Sequence, residues 1–138
     1  MIKLSKICYY TGTILSLMIG ILHFFVPWVF EWYSYIPSEY ENLIVSIDWV
    51  NFCFSFMLSG ISSLVLLWGK KVFTGNKEAI TLLGFLTFVW IFRVFIAIVN
   101  PVPLEPVAAV AYGQFWGAVL IILLMLVPLI KAIKSILD

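Results

Sequence analysis

Gly20-Ile-Leu-His-Phe-Phe-Val-Pro-Trp-Val-Phe-Glu31 closes the first long apolar run of the chain. It holds the only histidine, His23, a proline one helical turn later, and a carboxylate one turn after that. The run begins at Ile7, behind the basic flank of Lys3 and Lys6. A basic start and an apolar body resemble a signal peptide, but no small-x-small cleavage pattern follows, and the run continues into Phe, Pro and Trp. Residues 7–30 therefore read as a retained membrane span. Gly12, Ser16, Gly20 and His23 recur at helical spacing on one stripe. Small residues in such a stripe let membrane helices pack closely, so His23 is expected to face protein. Pro27 is expected to end or kink the helix, because it has no N–H and crowds the carbonyl four residues back.

Working outward, the whole chain shares this character. Of its 138 residues 64% are hydrophobic and 11% charged, with a mean hydropathy of +1.13. Soluble domains are about half apolar and about a quarter charged. A span needs roughly 20 apolar residues, which gives four spans here, at about 7–30, 49–68, 79–99 and 112–130. The expected fold is all-α, a single integral membrane four-helix bundle with short connections. The net charge of +1 and the lack of a Lys/Arg stripe exclude nucleic acid as a partner. Cys8 and Cys53 fall near opposite ends of the bundle, too far apart for a disulfide.

The connections add detail. Residues 31–48 form a first outer loop rich in Tyr and Trp, as suits the membrane–water interface. Ser38-Glu-Tyr-Glu41 fits a capping box. A helix from there to Trp68 would run about 45 Å, which predicts a short interfacial helix, a bend, and then the span. On the second span Asn51, Ser55, Ser59 and Ser62 share a face. Antiparallel packing against the first span sets Asn51 and Ser55 beside His23, and Gly12 beside Ser62. Gly75-Asn76 marks a turn, and Asn100-Pro-Val-Pro-Leu-Glu-Pro106 a second outer loop. Every lysine lies in the N-terminal segment, the middle loop or the C-terminal segment. The positive-inside rule then predicts that both termini are cytoplasmic, in a bacterial cytoplasmic (inner) membrane.

The polar residues of the spans gather at one depth. His23, Asn51, Arg93 and Gln114 lie toward the outer ends of four different helices, with Glu31, Asp48 and Asn100 at the rim, whereas the inner half reads as almost purely apolar. An arginine within a span costs about 2.5–3.5 kcal/mol on insertion scales, so it pairs inside the bundle or reaches a watery cavity. Trp90 shares its helical face and is expected to stack on the guanidinium. Asp48 and Glu31 are the candidate counter-ions. Two roles fit Arg93: tying an outer loop through a carboxylate, or holding a ligand. His23 is either an interhelical hydrogen-bonder or a ligand for a proton or a carbonyl group. No second histidine or thiolate pair accompanies it, which argues against metal and haem. There is no catalytic triad, P-loop or dinucleotide fingerprint.

His23-Phe24-x-x-Pro27-x-x-Phe30, then Ile36-Pro37, Gly60 and Leu66-Leu67, resemble the DoxX-like family of small four-helix membrane proteins, and Gln114 at the start of the fourth span fits the same pattern. The specific part of the resemblance covers residues 20–67. One departure is that Ser55-Phe56-Met57-Leu58 lacks the glutamate that members often carry a turn before the glycine. The resemblance implies quinone-linked oxidation, with quinone as cofactor, or an accessory role toward a larger membrane protein.

Two functions follow as expectations. In the first, a non-enzymatic membrane protein binds a lipid-like or hydrophobic ligand in a polar pocket, or assists a membrane-protein partner or a second copy of itself. In the second, a quinone-binding subunit of an oxidoreductase uses His23 and Arg93 on the quinone oxygens. No residue set in the chain carries electrons by itself. The pocket residues expected under either reading are His23, Glu31, Asp48, Asn51, Trp90, Arg93, Asn100 and Gln114.

Overall fold

The computed structural model describes residues 2–101 and 108–137. Its elements are α1 (Ile2–His23), α2 (Val26–Val29), α3 (Glu41–Leu67), α4 (Gly69–Phe73), α5 (Lys77–Val99) and α6 (Ala108–Leu137), with 3-10 turns at Trp32–Tyr35 and Ser38–Tyr40. Among the described residues there is no strand. Helices α1, α3, α5 and α6 are long and apolar enough to cross a membrane. Large apolar side chains project outward from all four, among them Met18, Phe56, Phe88 and Leu123. An apolar outer face of this kind suits lipid and not water.

The bundle is a ring in which α1 packs extensively on α3 and α6, and α5 on α6, while α3 touches α5 only lightly. The reason lies in side-chain size along α1. A Cβ at Gly20 would lie 2.8 Å from the backbone nitrogen of Ser59, and one at Gly12 would lie 3.1 Å from Leu124 Cβ. Two glycines on different faces of α1 thus admit α3 on one side and α6 on the other. The expected pairing of Gly12 with Ser62 is corrected accordingly: Ser16 meets Ser62, Oγ to Oγ at 2.7 Å.

The core contains Tyr9, Leu83, Leu86, Trp90, Ile121 and Met125. It is less purely apolar than expected, since Tyr9, Thr13, Ser16, Ser62 and Thr87 are also buried. Thr13 and Thr87 donate to carbonyls four residues back in their own helices, and the Tyr9 hydroxyl donates to the Val65 carbonyl of α3. Short polar side chains can satisfy themselves on a helix backbone, so they are tolerated at depth.

Several local expectations change. No side-chain cap forms at either Ser38 or Tyr40, so the capping box is not made. Helix α3 runs without a break for 27 residues, about 40 Å, in place of an interfacial helix and a bend. No proline or glycine interrupts its first four turns. Helix α6 extends beyond the expected span at both ends and carries Pro128 internally. The turn at Gly75 forms as expected, with φ 80°, and Asn76 caps α5 by accepting from the Ala79 N–H at 2.9 Å. Both thiols are free, Cys8 buried and Cys53 exposed. In the second outer loop, residues 102–107, Glu105 included, lie outside the described residues.

Candidate functional site

The site begins where α1 stops. Pro27 has no N–H to give to the carbonyl of His23, its partner in a continuous helix. Helix α1 ends at His23, and Pro27 sits in the first turn of α2. The orphaned His23 carbonyl accepts instead from Asn51 Nδ2 of α3, at 2.8 Å. Asn51 is 7% exposed. Its presence at depth is thereby explained: it substitutes for the missing backbone donor.

The same interruption fixes the imidazole. His23 Nδ1 lies 2.9 Å from the Ile19 carbonyl, which can only accept, so Nδ1 carries the hydrogen and Nε2 is left for other partners. Phe54 packs edge-on to the ring, with centroids 5.1 Å apart. Two elements thus hold the ring in one orientation.

His23 and Asn51 line a cavity of about 570 Å³ that occupies the loose seam between α3 and α5. Ile47, Val50, Phe54 and Leu58 form one wall from α3, and Val89, Phe92 and Ile96 form the other from α5. These positions recur every three to four residues, as one face of each helix requires. Trp32, from the turn after α2, closes one side. Its turn is anchored to α3 by a hydrogen bond from the Tyr33 hydroxyl to the Asp48 carboxylate. Only the neutral phenol can donate that bond, and the phenolate would also be repelled by the carboxylate, so the Tyr33 pKa is pushed up to about 12.

Arg93 lines the same cavity. One terminal nitrogen donates to Gln114 Oε1 of α6 at 2.7 Å. Among the described residues no other hydrogen bond or carboxylate contact to Arg93 is present, and neither Asp48 nor Glu31 serves as its counter-ion. Asp48 is engaged by Tyr33. Glu31 is exposed and adopts φ 51° in the chain reversal after α2, where its carbonyl accepts from the Ser34 backbone and hydroxyl. Arg93 also borders a second hollow of about 250 Å³, shared with Gln114, Phe115 and Trp116.

Trp90 behaves differently from expectation. It is buried, and its Nε1 donates to Ser16 Oγ at 2.8 Å instead of stacking on Arg93. Ser16 in turn bonds Ser62, so one hydroxyl pair ties α1, α3 and α5 together beneath the cavity. Trp90 forms part of the cavity floor with its polar edge already satisfied.

Of the eight expected pocket residues, the structure brings His23, Asn51, Trp90 and Arg93 around one cavity, with Gln114 held to Arg93. Glu31, Asp48 and Asn100 line neither hollow; Asn100 caps the exposed end of α5. Sequence reasoning missed Trp32, Phe54 and Val89, because apolar lining residues look like any lipid-facing residue in a hydrophobic helix. The Arg93–Gln114 pair was within reach, since both residues were placed at the same depth. Among the described residues, no cluster of His, Cys, Asp and Glu could hold a metal ion. No protein-family model matches the chain, and comparisons with curated proteins and with solved structures give no match.

Proposed function

We propose that this protein binds a hydrophobic molecule in the α3–α5 cavity, with the polar end of the ligand at Arg93 and His23. The observation that carries this reading is the cavity itself. It has the volume of a small-molecule site, a mostly apolar wall, and a few convergent polar groups, which is the usual make-up of ligand pockets. It lies where two helices fail to close on each other, so a ligand can enter sideways from lipid. In this reading the protein sits in a bacterial inner membrane with both termini in the cytoplasm. All lysines at the same end of the bundle support that orientation.

A ligand that binds only the folded protein raises its melting temperature. Val89 lines the cavity from α5, and Val89→Trp fills part of it while leaving the Arg93 and His23 side chains in the protein. Hydrophobic compounds that bind the cavity are expected to raise the melting temperature of the wild type and not of Val89→Trp. Equal shifts in both proteins would sink the proposal.

A quinone is the second reading. It is favoured by the arrangement of His23 and Arg93 around one apolar space, and by the DoxX-like pattern of residues 20–67. An assembly role toward a membrane partner would use the same cavity as a docking point for lipid at the interface.

A further inference from the structure

The polarity of the cavity is one-sided. Its titratable lining is the Arg93 guanidinium and the imidazole of His23, one a cation and the other a group that becomes one, whereas Asn51 and Ser46 spend their donors on the His23 and Asn42 carbonyls. Among the described residues no carboxylate lines it. A guanidinium presents five N–H donors in a planar fork, and Gln114 occupies only one terminal nitrogen of Arg93, with a neutral acceptor. The carboxylate of Asp48 accepts from Tyr33 and lines neither hollow. Within a span, a cation that is only partly satisfied by a neutral group is held in place by an anion or by water. The rest of the cavity is apolar, as an alkyl chain requires.

From this juxtaposition we infer that the cavity is built for an amphiphile with an oxyanion head, of which a long-chain fatty-acid carboxylate is the simplest. The inference rests on the cavity being a ligand site and adds the chemical class. One oxygen of the head accepts from the outward edge of Arg93, where paired N–H groups suit a carboxylate. The second lies toward His23, whose Nε2 becomes a donor when the ring is protonated. The chain lies along Ile47, Val50, Phe54 and Val89. A neutral quinone or alcohol fills the same space but leaves the arginine charge uncompensated.

The test uses the full chain in nanodiscs of phosphatidylcholine, titrated with sodium oleate, oleyl alcohol and dodecyl phosphate, with bound ligand counted by mass spectrometry. Oleate is expected to bind at least about tenfold more tightly than oleyl alcohol, the difference between a charged and a neutral hydrogen bond. Arg93→Gln should abolish that preference while keeping alcohol binding, and Arg93→Lys, which retains the charge, should keep it. The order of oleate and dodecyl phosphate identifies carboxylate or phosphate as the preferred head. Equal binding of oleate and oleyl alcohol to the wild type would overturn the oxyanion inference and leave the cavity reading standing. So would a preference that survives Arg93→Gln. Failure of all three amphiphiles to bind would remove the cavity reading itself.

Discussion

Replacing Asn51 with leucine tests the link between the sequence break in α1 and the architecture of the site. Leucine keeps most of the volume but cannot donate to the His23 carbonyl, 2.8 Å away. An unsatisfied buried acceptor costs about 1–3 kcal/mol. Interhelical hydrogen bonds measured in membrane bundles average about 0.6 kcal/mol and reach about 1.7. Because Asn51 is 7% exposed and its acceptor has lost its own helical donor to Pro27, the expected loss is near the upper figure, about 1.5 kcal/mol. The decisive comparison is Asn51→Leu in a Pro27→Ala background. Alanine restores an N–H at position 27, which lets α1 continue and satisfies the same carbonyl. The loss on Asn51→Leu should then fall toward zero, giving a coupling of about 1.5 kcal/mol in a double-mutant cycle. Denaturant unfolding in mild detergent, followed by tryptophan fluorescence, measures all four corners. Equal losses in the two backgrounds would show that Asn51 does not replace the donor missing at Pro27.

Four further outcomes are expected. Ser16→Ala strands the buried Trp90 N–H and the Ser62 hydroxyl together. It should destabilise by about 1–3 kcal/mol, more than Ser62→Ala does, in the same unfolding assay. Gly20→Val places a Cβ 2.8 Å from Ser59 backbone, which cannot move aside as a side chain can, so a loss of about 1–3 kcal/mol is expected. Gly60→Ala meets nothing within 4 Å and should leave the melting temperature unchanged or raise it. The Tyr33 phenol, pushed up to about 12 by Asp48, should ionise late in an ultraviolet titration, and Asp48→Asn should return it toward 10. Because its folded pKa is raised, its contribution to holding the loop is full below about pH 10 and is lost as the pH climbs through about 12. A wild-type titration identical to that of Asp48→Asn would contradict the contact.

The four long helices were legible in the sequence because twenty apolar residues in water-excluded surroundings have few alternatives to a helix. Which helices touch was less legible. Gly12 and Gly20 both announced close packing, but only the structure shows that one admits α6 and the other α3, since eight residues of helix turn the stripe from one neighbour to the next. Asn51 beside His23 was foreseen from antiparallel counting. Its reason, the carbonyl freed by Pro27, is local backbone chemistry that was available in Pro27 itself. The sequence marks Arg93 as a polar centre, yet charge points to acids as its partners. A neutral amide at equal depth on α6 satisfies one nitrogen without burying a second charge, and charge matching alone does not find it. Trp90 misled for a related reason: the helical face it shares with Arg93 is wide enough for one residue to point into the core and the other into the cavity.

The central claim is that the α3–α5 cavity holds a ligand through Arg93. Native mass spectrometry of protein released from the membrane it was made in, compared for wild type, Val89→Trp and Arg93→Ala, addresses it most directly. The account predicts one small amphiphile per wild-type chain, distinct from bulk lipid, absent from Val89→Trp and depleted in Arg93→Ala. The same bulk-lipid pattern in all three proteins would contradict it, and would leave Arg93 as a strut between α5 and α6.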